Sequence, residues 1–90
     1  MSPIKLTRHE YCAEDDTYTL QGQSDERPDL DSIARRAEAE GHKVINMKNL
    51  NTVVVITEGP TIHFHGNGKI VVNSARDEKK VKKMLAELLA

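Results

Sequence analysis

The sequence predicts an α+β fold: an antiparallel sheet of five to six strands with two helices on one face, in the order β-β-α-β-β-β-β-α. Six short runs are rich in β-branched residues, and only two segments repeat apolar residues at helical spacing. The connections between the last four strands are too short for crossovers, so those strands are antiparallel neighbours. A chain of 90 residues forms one domain, 1–90.

The N-terminal segment 4–23 is predicted to form a β-hairpin. Its two strand-like runs, 4–13 and 17–23, flank the acidic turn Glu14-Asp15-Asp16, whose side chains can hydrogen-bond their own backbone. Residues 24–28 are polar, and the sequence predicts a loop there.

The first helix is predicted over 29–40. Pro28 interrupts the preceding structure, and the Asp29 carboxylate can accept hydrogen bonds from the free amides of the first turn. Gly41 is expected to end the helix in the left-handed conformation. The residues that form its apolar stripe are Leu30, Ile33, Ala34 and Ala37.

The segment 42–73 is predicted to be a four-stranded meander. Its strands are expected at 42–47, 50–57, 61–65 and 69–73. The connecting turns are Lys48-Asn49, Glu58-Gly59-Pro60 and Gly66-Asn67-Gly68.

A last helix is predicted over 75–89, because Asp77 and Glu78 suit the positive end of a helix dipole. Its apolar stripe consists of Val81, Met84, Leu85, Leu88 and Leu89. The intervening lysines Lys79, Lys80, Lys82 and Lys83 are interpreted as its solvated face.

The loop Gly66-Asn67-Gly68 decides which side chains share a face of the sheet. If all three residues form the loop, with Gly68 left-handed, Phe64 pairs with Ile70 and one face is wholly apolar. If only Asn67-Gly68 forms the loop, Phe64 pairs with Val71 and both faces are mixed. The first register is favoured because it buries no unpaired polar group. The inward residues are then Ile62, Phe64, Ile70 and Val72, and the outward ones are His63, His65, Lys69, Val71 and Asn73.

Composition excludes several classes of protein. The net charge of -1 provides no overall field that would attract nucleic acid or anionic lipid. Cys12 has no second cysteine to pair with, so it is interpreted as structural. The first five residues lack the apolar run of a secretory signal, and no stretch suits a membrane span. A cytoplasmic protein without membrane contact is therefore predicted.

The paired histidines His63 and His65 are the candidate reactive groups. Two imidazoles at i and i+2 on one strand face could hold a transition metal, with His9 or His42 as a third ligand. They could also act as acid–base groups or a pH sensor. Neither a carboxylate nor a cysteine accompanies them at motif spacing, so we predict no metal site, no cofactor and no enzymatic activity.

The chain over 18–89 resembles one half of the TATA-box-binding protein. The similar motifs are Pro28-Asp29-Leu30, Gly68-Lys69-Ile70-Val71-Val72 and Ala75-Arg76. The resemblance implies binding through the sheet face that the helices leave uncovered, where that family inserts phenylalanines into the DNA minor groove. In a gapless match His65 stands at the wedge position and His63 at an aliphatic one. This substitution argues against kinking of the minor groove.

The sequence therefore predicts a small interaction module that binds a protein partner through its uncovered sheet face. The partner is either a second copy or a subunit of a larger assembly. Val54 and Ile56 are expected to add apolar surface to this face. The alternative is a nucleic-acid-binding protein in which Lys69, Arg76 and the histidines contact phosphates or bases.

Overall fold

The computed structural model describes residues 6–14, 16–24 and 28–89. One six-stranded antiparallel sheet, in the order β1-β2-β6-β5-β4-β3, carries two helices. The elements are β1 (Leu6–Cys12), β2 (Thr17–Gln23), α1 (Leu30–Ala39), β3 (Lys43–Met47), β4 (Thr52–Ile56), β5 (Thr61–His65), β6 (Lys69–Ala75) and α2 (Glu78–Leu89). The predicted fold class and element order are confirmed. The predicted strand start at Ile4, the turn residue Asp15 and the loop residues 25–27 lie outside the described residues.

The hydrophobic core lies between the helices and one face of the sheet. Alternate residues of the central strands are fully buried, and the apolar stripes of α1 and α2 pack on them in one cluster. The strand residues of this core are Leu20, Val53, Val55, Ile62, Phe64, Ile70, Val72 and Ala75. The helical residues are Ile33, Ala34, Ala37, Val81, Leu85 and Leu88. Both predicted helix stripes are therefore confirmed.

Helix α1 is capped at both ends by the residues that the sequence indicates. The backbone N–H of Ser32 donates to the Asp29 carboxylate at 3.2 Å, and the Ser32 hydroxyl donates to it at 3.0 Å. These hydrogen bonds hold the pKa of Asp29 below its ordinary value of 3.8. At the other end Gly41 has φ +85°, and the N–H of His42 donates to the Ala37 carbonyl at 3.0 Å. The helix runs from Leu30 to Ala39, so Asp29 and Glu40, which were predicted to be helical, are the capping residues that flank it.

Gly41 provides a direct test of the left-handed cap. We expect Gly41→Ala to lower the free energy of unfolding by about 1 kcal/mol, because an L side chain is strained at φ +85°. Urea titration would measure the loss. Gly59→Ala is the matched control, since a Cβ at either glycine meets no atom within 4 Å and Gly59 lacks a positive φ. Equal effects from the two changes would contradict the strained-backbone explanation.

The boundary between the last strand and the last helix differs from the prediction. Strand β6 continues to Ala75, and α2 begins at Glu78 rather than at residue 75. The cause is a β-bulge: Ser74 has φ +60°, and the extra residue returns Ala75 to the core face opposite Tyr18. Asp77 then caps the helix, accepting from the N–H of Lys79 at 3.0 Å.

The start of β4 was also wrongly predicted. Leu50 belongs to a 3-10 turn, Lys48–Leu50, and the strand begins at Thr52. The intervening Asn51 is left-handed, with φ +50°, and its carbonyl accepts from the N–H of Gly66 at 2.8 Å. This conformation breaks the strand and leaves Leu50 70% exposed. Two smaller differences concern His42 and Thr57, which lie just outside β3 and β4.

Candidate interaction surface

The β5–β6 hairpin adopts the three-residue loop. Phe64 pairs with Ile70 and Ile62 with Val72, and Gly68 has φ +94° while its N–H donates to the His65 carbonyl at 3.0 Å. The alternative pairing of Phe64 with Val71 is excluded. The structure therefore places His63, His65, Lys69, Val71 and Asn73 on the side of the sheet opposite the helices, which we call the open face. Their role in binding stays a prediction.

One row of paired residues crosses the entire open face, from one edge strand to the other. We call it the central row. Its members, in order, are Ile45, Val54, His63, Val71, Gln21 and Thr7. Val54 is only 6% exposed although no helix covers it, because Ile45 and His63 flank it on the neighbouring strands. The row is apolar near β3 and becomes polar towards β1.

His65 is oriented by a hydrogen-bond chain from a buried threonine. The Thr52 hydroxyl donates to the Leu50 carbonyl at 3.0 Å, and its oxygen lies 3.0 Å from Nδ1 of His65. Because the hydroxyl proton is used by Leu50, Thr52 accepts and His65 donates from Nδ1. In the neutral ring the Nε2 lone pair is then free to accept from a ligand.

His63 is held by a second polar chain. The Thr19 hydroxyl donates to Oδ1 of Asn73 at 3.4 Å, and Nδ2 of Asn73 lies 3.2 Å from Nε2 of His63. An amide nitrogen can only donate, so Nε2 of His63 accepts and the ring proton lies on Nδ1. The neighbouring imidazoles, when neutral, therefore hold the same tautomer, with the ring proton on Nδ1.

The pKa of His63 is lowered from its ordinary value of 6.5, first by burial and then by the nearby His65 ring. Because the pKa of His63 in the folded protein lies below that in the unfolded chain, His63 contributes its full stabilisation above about pH 6.5. That stabilisation is lost as the pH falls from about 6.5 through the lower pKa of the folded state.

We expect His65→Asn, which keeps an N–H donor for Thr52, to raise the pKa of His63 only part of the way towards 6.5. NMR titration would measure it, with His42→Gln as the remote control. A complete return to 6.5 would contradict burial as the main cause.

The charges that strands β2 to β6 place on the open face have one sign. Strands β2 to β6 contain no aspartate or glutamate, and their two lysines, Lys43 and Lys69, lie on this face in the rows on either side of the central row. All three aromatic residues lie elsewhere: Phe64 faces the helices, and Tyr11 pairs with Tyr18 on the helix side. The open face therefore presents aliphatic, hydroxyl, amide and imidazole groups with a positive rim.

The histidines do not converge on a metal site. His9 lies on β1, three strands away from β5, and its Nε2 is 3.0 Å from the Thr7 hydroxyl. His42 lies in the connection between α1 and β3. Within residues 6–14, 16–24 and 28–89, no group of three His, Cys, Asp or Glu side chains is arranged to hold a metal ion. The side chain of Cys12 lies outside the described part of the chain.

Sequence reasoning missed part of this surface. Ile45, Met47 and Thr52 share the open face with the predicted residues, and Ile45 is 43% exposed. Alternation within β3 places Lys43, Ile45 and Met47 on one side, but only the register with β4 shows which side that is. The lysines of α2 are exposed, as predicted.

Neither described helix is long and apolar enough to cross a membrane. Comparison of the chain with models of known protein families, with curated proteins and with solved structures finds no match.

Proposed function

We propose that this protein is a small interaction module that binds a protein partner through its open face. The observation that carries the proposal is the central row, in which Ile45, Val54 and Val71, with His63 between the two valines, form a largely aliphatic strip on a sheet face that no described helix covers. Such strips are buried when a second sheet, or a segment of a partner protein, packs on the face of the sheet. The resemblance to a half of the TATA-box-binding protein supports the same face as the binding surface.

The charge of the open face indicates the chemistry of the partner. Lys43 and Lys69 frame the strip, and the strands β2, β3, β4, β5 and β6 themselves contain no carboxylate. A partner with an apolar centre and carboxylates at its rim is complementary to this arrangement. The free Nε2 of His65 adds a hydrogen-bond acceptor, and protonation of either imidazole would strengthen the attraction to carboxylates.

Affinity capture with matched baits tests the proposal. The wild-type domain, Val71→Glu and Lys80→Glu would be immobilised in parallel and exposed to the same lysate. Val71→Glu places a carboxylate at the centre of the open face, whereas Lys80 lies on the exposed side of α2. We expect a protein that is retained by the wild type and by Lys80→Glu and is lost from Val71→Glu. With that protein added, backbone NMR shifts should be confined to the open face.

Capture of the same proteins by all three baits, or shifts that follow the helices, would contradict the proposal. A folded Val71→Glu bait is required for this comparison, and its NMR spectrum shows whether it is folded. Val71→Thr keeps the β-branched shape and provides a second, milder variant.

Binding of nucleic acid by the same face is the second candidate, favoured by the absence of carboxylates from β2 to β6. It is less favoured because the open face carries no phenylalanine or tyrosine among the described residues, which leaves only the two imidazoles to stack on bases. Fluorescence anisotropy with random duplex and single-stranded oligonucleotides at low salt tests it. Binding that weakens with salt and in Lys69→Glu would support this candidate, and a flat titration would remove it.

A further inference from the structure

The two outer edges of the sheet differ in regularity. The pairing of β1 with β2 shifts register between Arg8 and Tyr11, and the irregular stretch carries His9 and Glu10. Strand β3 instead pairs with β4 through five consecutive residue pairs, from Lys43 opposite Ile56 to Met47 opposite Thr52. Bulges and charges on edge strands discourage pairing with other chains. Strand β1 has this protection, and β3 carries only one charge and no irregularity.

Exposed apolar side chains are concentrated beside the regular edge. Among the described residues, the three large hydrophobic side chains that are exposed are Tyr11, Ile45 and Leu50. Ile45 is at the centre of β3 and 43% exposed, and Leu50 is 70% exposed in the turn that follows. Tyr11 belongs to the other edge, where its hydroxyl donates to the Asp16 carboxylate at 2.7 Å. The outer side of β3, which no described strand pairs with, therefore combines free backbone groups with apolar surface.

We propose that β3 is a self-pairing edge, through which two copies of this chain join their sheets antiparallel about a two-fold axis at Ile45. Such a pair extends the six-stranded sheet of each copy across the contact. The proposal goes beyond the proposed function because it uses the edge of the sheet rather than its open face.

The sequence of β3 is compatible with its own antiparallel copy. A register centred on Ile45 places the two Ile45 side chains side by side and sets Lys43 opposite Met47 of the second copy. Val44 then lies opposite Asn46, so no two like charges face each other. The open face has no such charge complementarity, because the only charged side chains that strands β2 to β6 place on it are the two lysines Lys43 and Lys69.

Edge pairing would also enlarge the aliphatic strip. The central row ends at Ile45 in one copy and would continue into Ile45, Val54 and Val71 of the next. The contact involves five residues of each chain and is small, so we expect a dissociation constant of about micromolar or weaker.

A concentration series with backbone amide exchange tests the proposal. In a single copy, every second backbone amide of β3 hydrogen-bonds to β4. The alternate amides point outwards to solvent, so their hydrogens exchange freely with water. We expect sedimentation to show a monomer–dimer equilibrium up to about 1 mM protein, with the outward amides of β3 becoming protected as the dimer forms. Ile45→Lys should raise the dissociation constant at least about tenfold, because it places two ammonium groups side by side.

Two control variants in the same row separate the edge from the face. Thr7→Lys introduces the same charge at the other edge, and Val71→Lys introduces it on an interior strand. Neither should change the dissociation constant of the dimer, whereas Val71→Lys should abolish binding of the face partner. The experiments can therefore show loss of dimerisation with partner binding intact, or loss of partner binding with dimerisation intact. The two proposals can thus fail separately.

Three results would overturn the proposal: a monomer at every concentration, a dimer whose outward β3 amides still exchange freely, and equal weakening by Thr7→Lys and Ile45→Lys. The exchange measurement uses the wild-type chain, so it decides the question even if Ile45→Lys fails to fold. In a Cys12→Ser background, Ile45→Cys should give a disulfide-linked dimer under mild oxidation.

Discussion

Replacing Phe64 by alanine should cost about 3–5 kcal/mol of unfolding free energy, the usual cost of removing a buried aromatic ring. Phe64 is 0% exposed, lies on β5 between Val53 of β4 and Ile70 of β6, and is the largest side chain in the core. Since small domains have only about 5–15 kcal/mol in total, the variant should be close to unfolding at room temperature. Chemical denaturation followed by circular dichroism would measure the loss.

The adjacent residue provides the control for this prediction. His63→Ala should cost less than about 1 kcal/mol, because it removes a half-buried ring and one hydrogen bond to Asn73. Phe64→Leu, which leaves a smaller cavity, keeps the comparison measurable if the alanine variant does not fold. A larger loss from His63→Ala than from Phe64→Ala would mean that the hairpin adopts the two-residue loop, with imidazoles facing the helices.

Lysine at position 55 should abolish folding, whereas lysine at position 54 should be tolerated. Val55 is 0% exposed and faces the helices, so an ammonium group there has no route to water, and we expect a loss of at least about 3 kcal/mol. Val54 is almost as buried, at 6% exposed, but lies on the open face. A lysine there can lay its methylene groups over Ile45 and reach solvent, at a cost of about 1 kcal/mol.

The comparison of these two neighbours tests whether the open face is uncovered. Val55→Thr is the milder inner variant and should be destabilising by about 1–3 kcal/mol because its buried hydroxyl lacks a partner. The readout is the melting temperature of the wild type and of Val55→Lys, Val54→Lys and Val55→Thr, measured at one pH and one protein concentration. Similar losses at both positions would show that another layer covers the open face, and a loss at Val54→Lys that grows with protein concentration would identify that layer as a second copy.

Most of the secondary structure was predictable because local signals agree with the fold. The stripe and caps of α1, from Asp29 to Gly41, are encoded within single turns, and the meander follows from connections too short to cross the sheet. The two larger boundary errors occurred where a non-glycine residue adopts a left-handed conformation. Asn51 ends the 3-10 turn before β4, and Ser74 forms the bulge that prolongs β6. Neither residue type requires that conformation, so its occurrence depends on the surrounding pairing.

The open face was predictable only in part. The alternation in β5 and β6, together with the glycine loop, was enough to separate His63, His65 and Val71 from the inward residues Ile62 and Phe64. The positions of the edge strands could not be predicted, because a strand sequence such as that of β3 is compatible with either an interior or an outer position in the sheet. The hydrogen-bond chains through Thr52 and Asn73 likewise join residues from different strands.

The sequence by itself determined that this protein is an α+β domain with one apolar and one mixed sheet face, since period-two and helical patterns are local properties of a chain. Only the tertiary structure decided which strands form the edges, how the central row is assembled and which tautomers the imidazoles hold. These features depend on contacts between residues far apart in sequence. The proposals for partner binding and for self-pairing both rest on that second set of features.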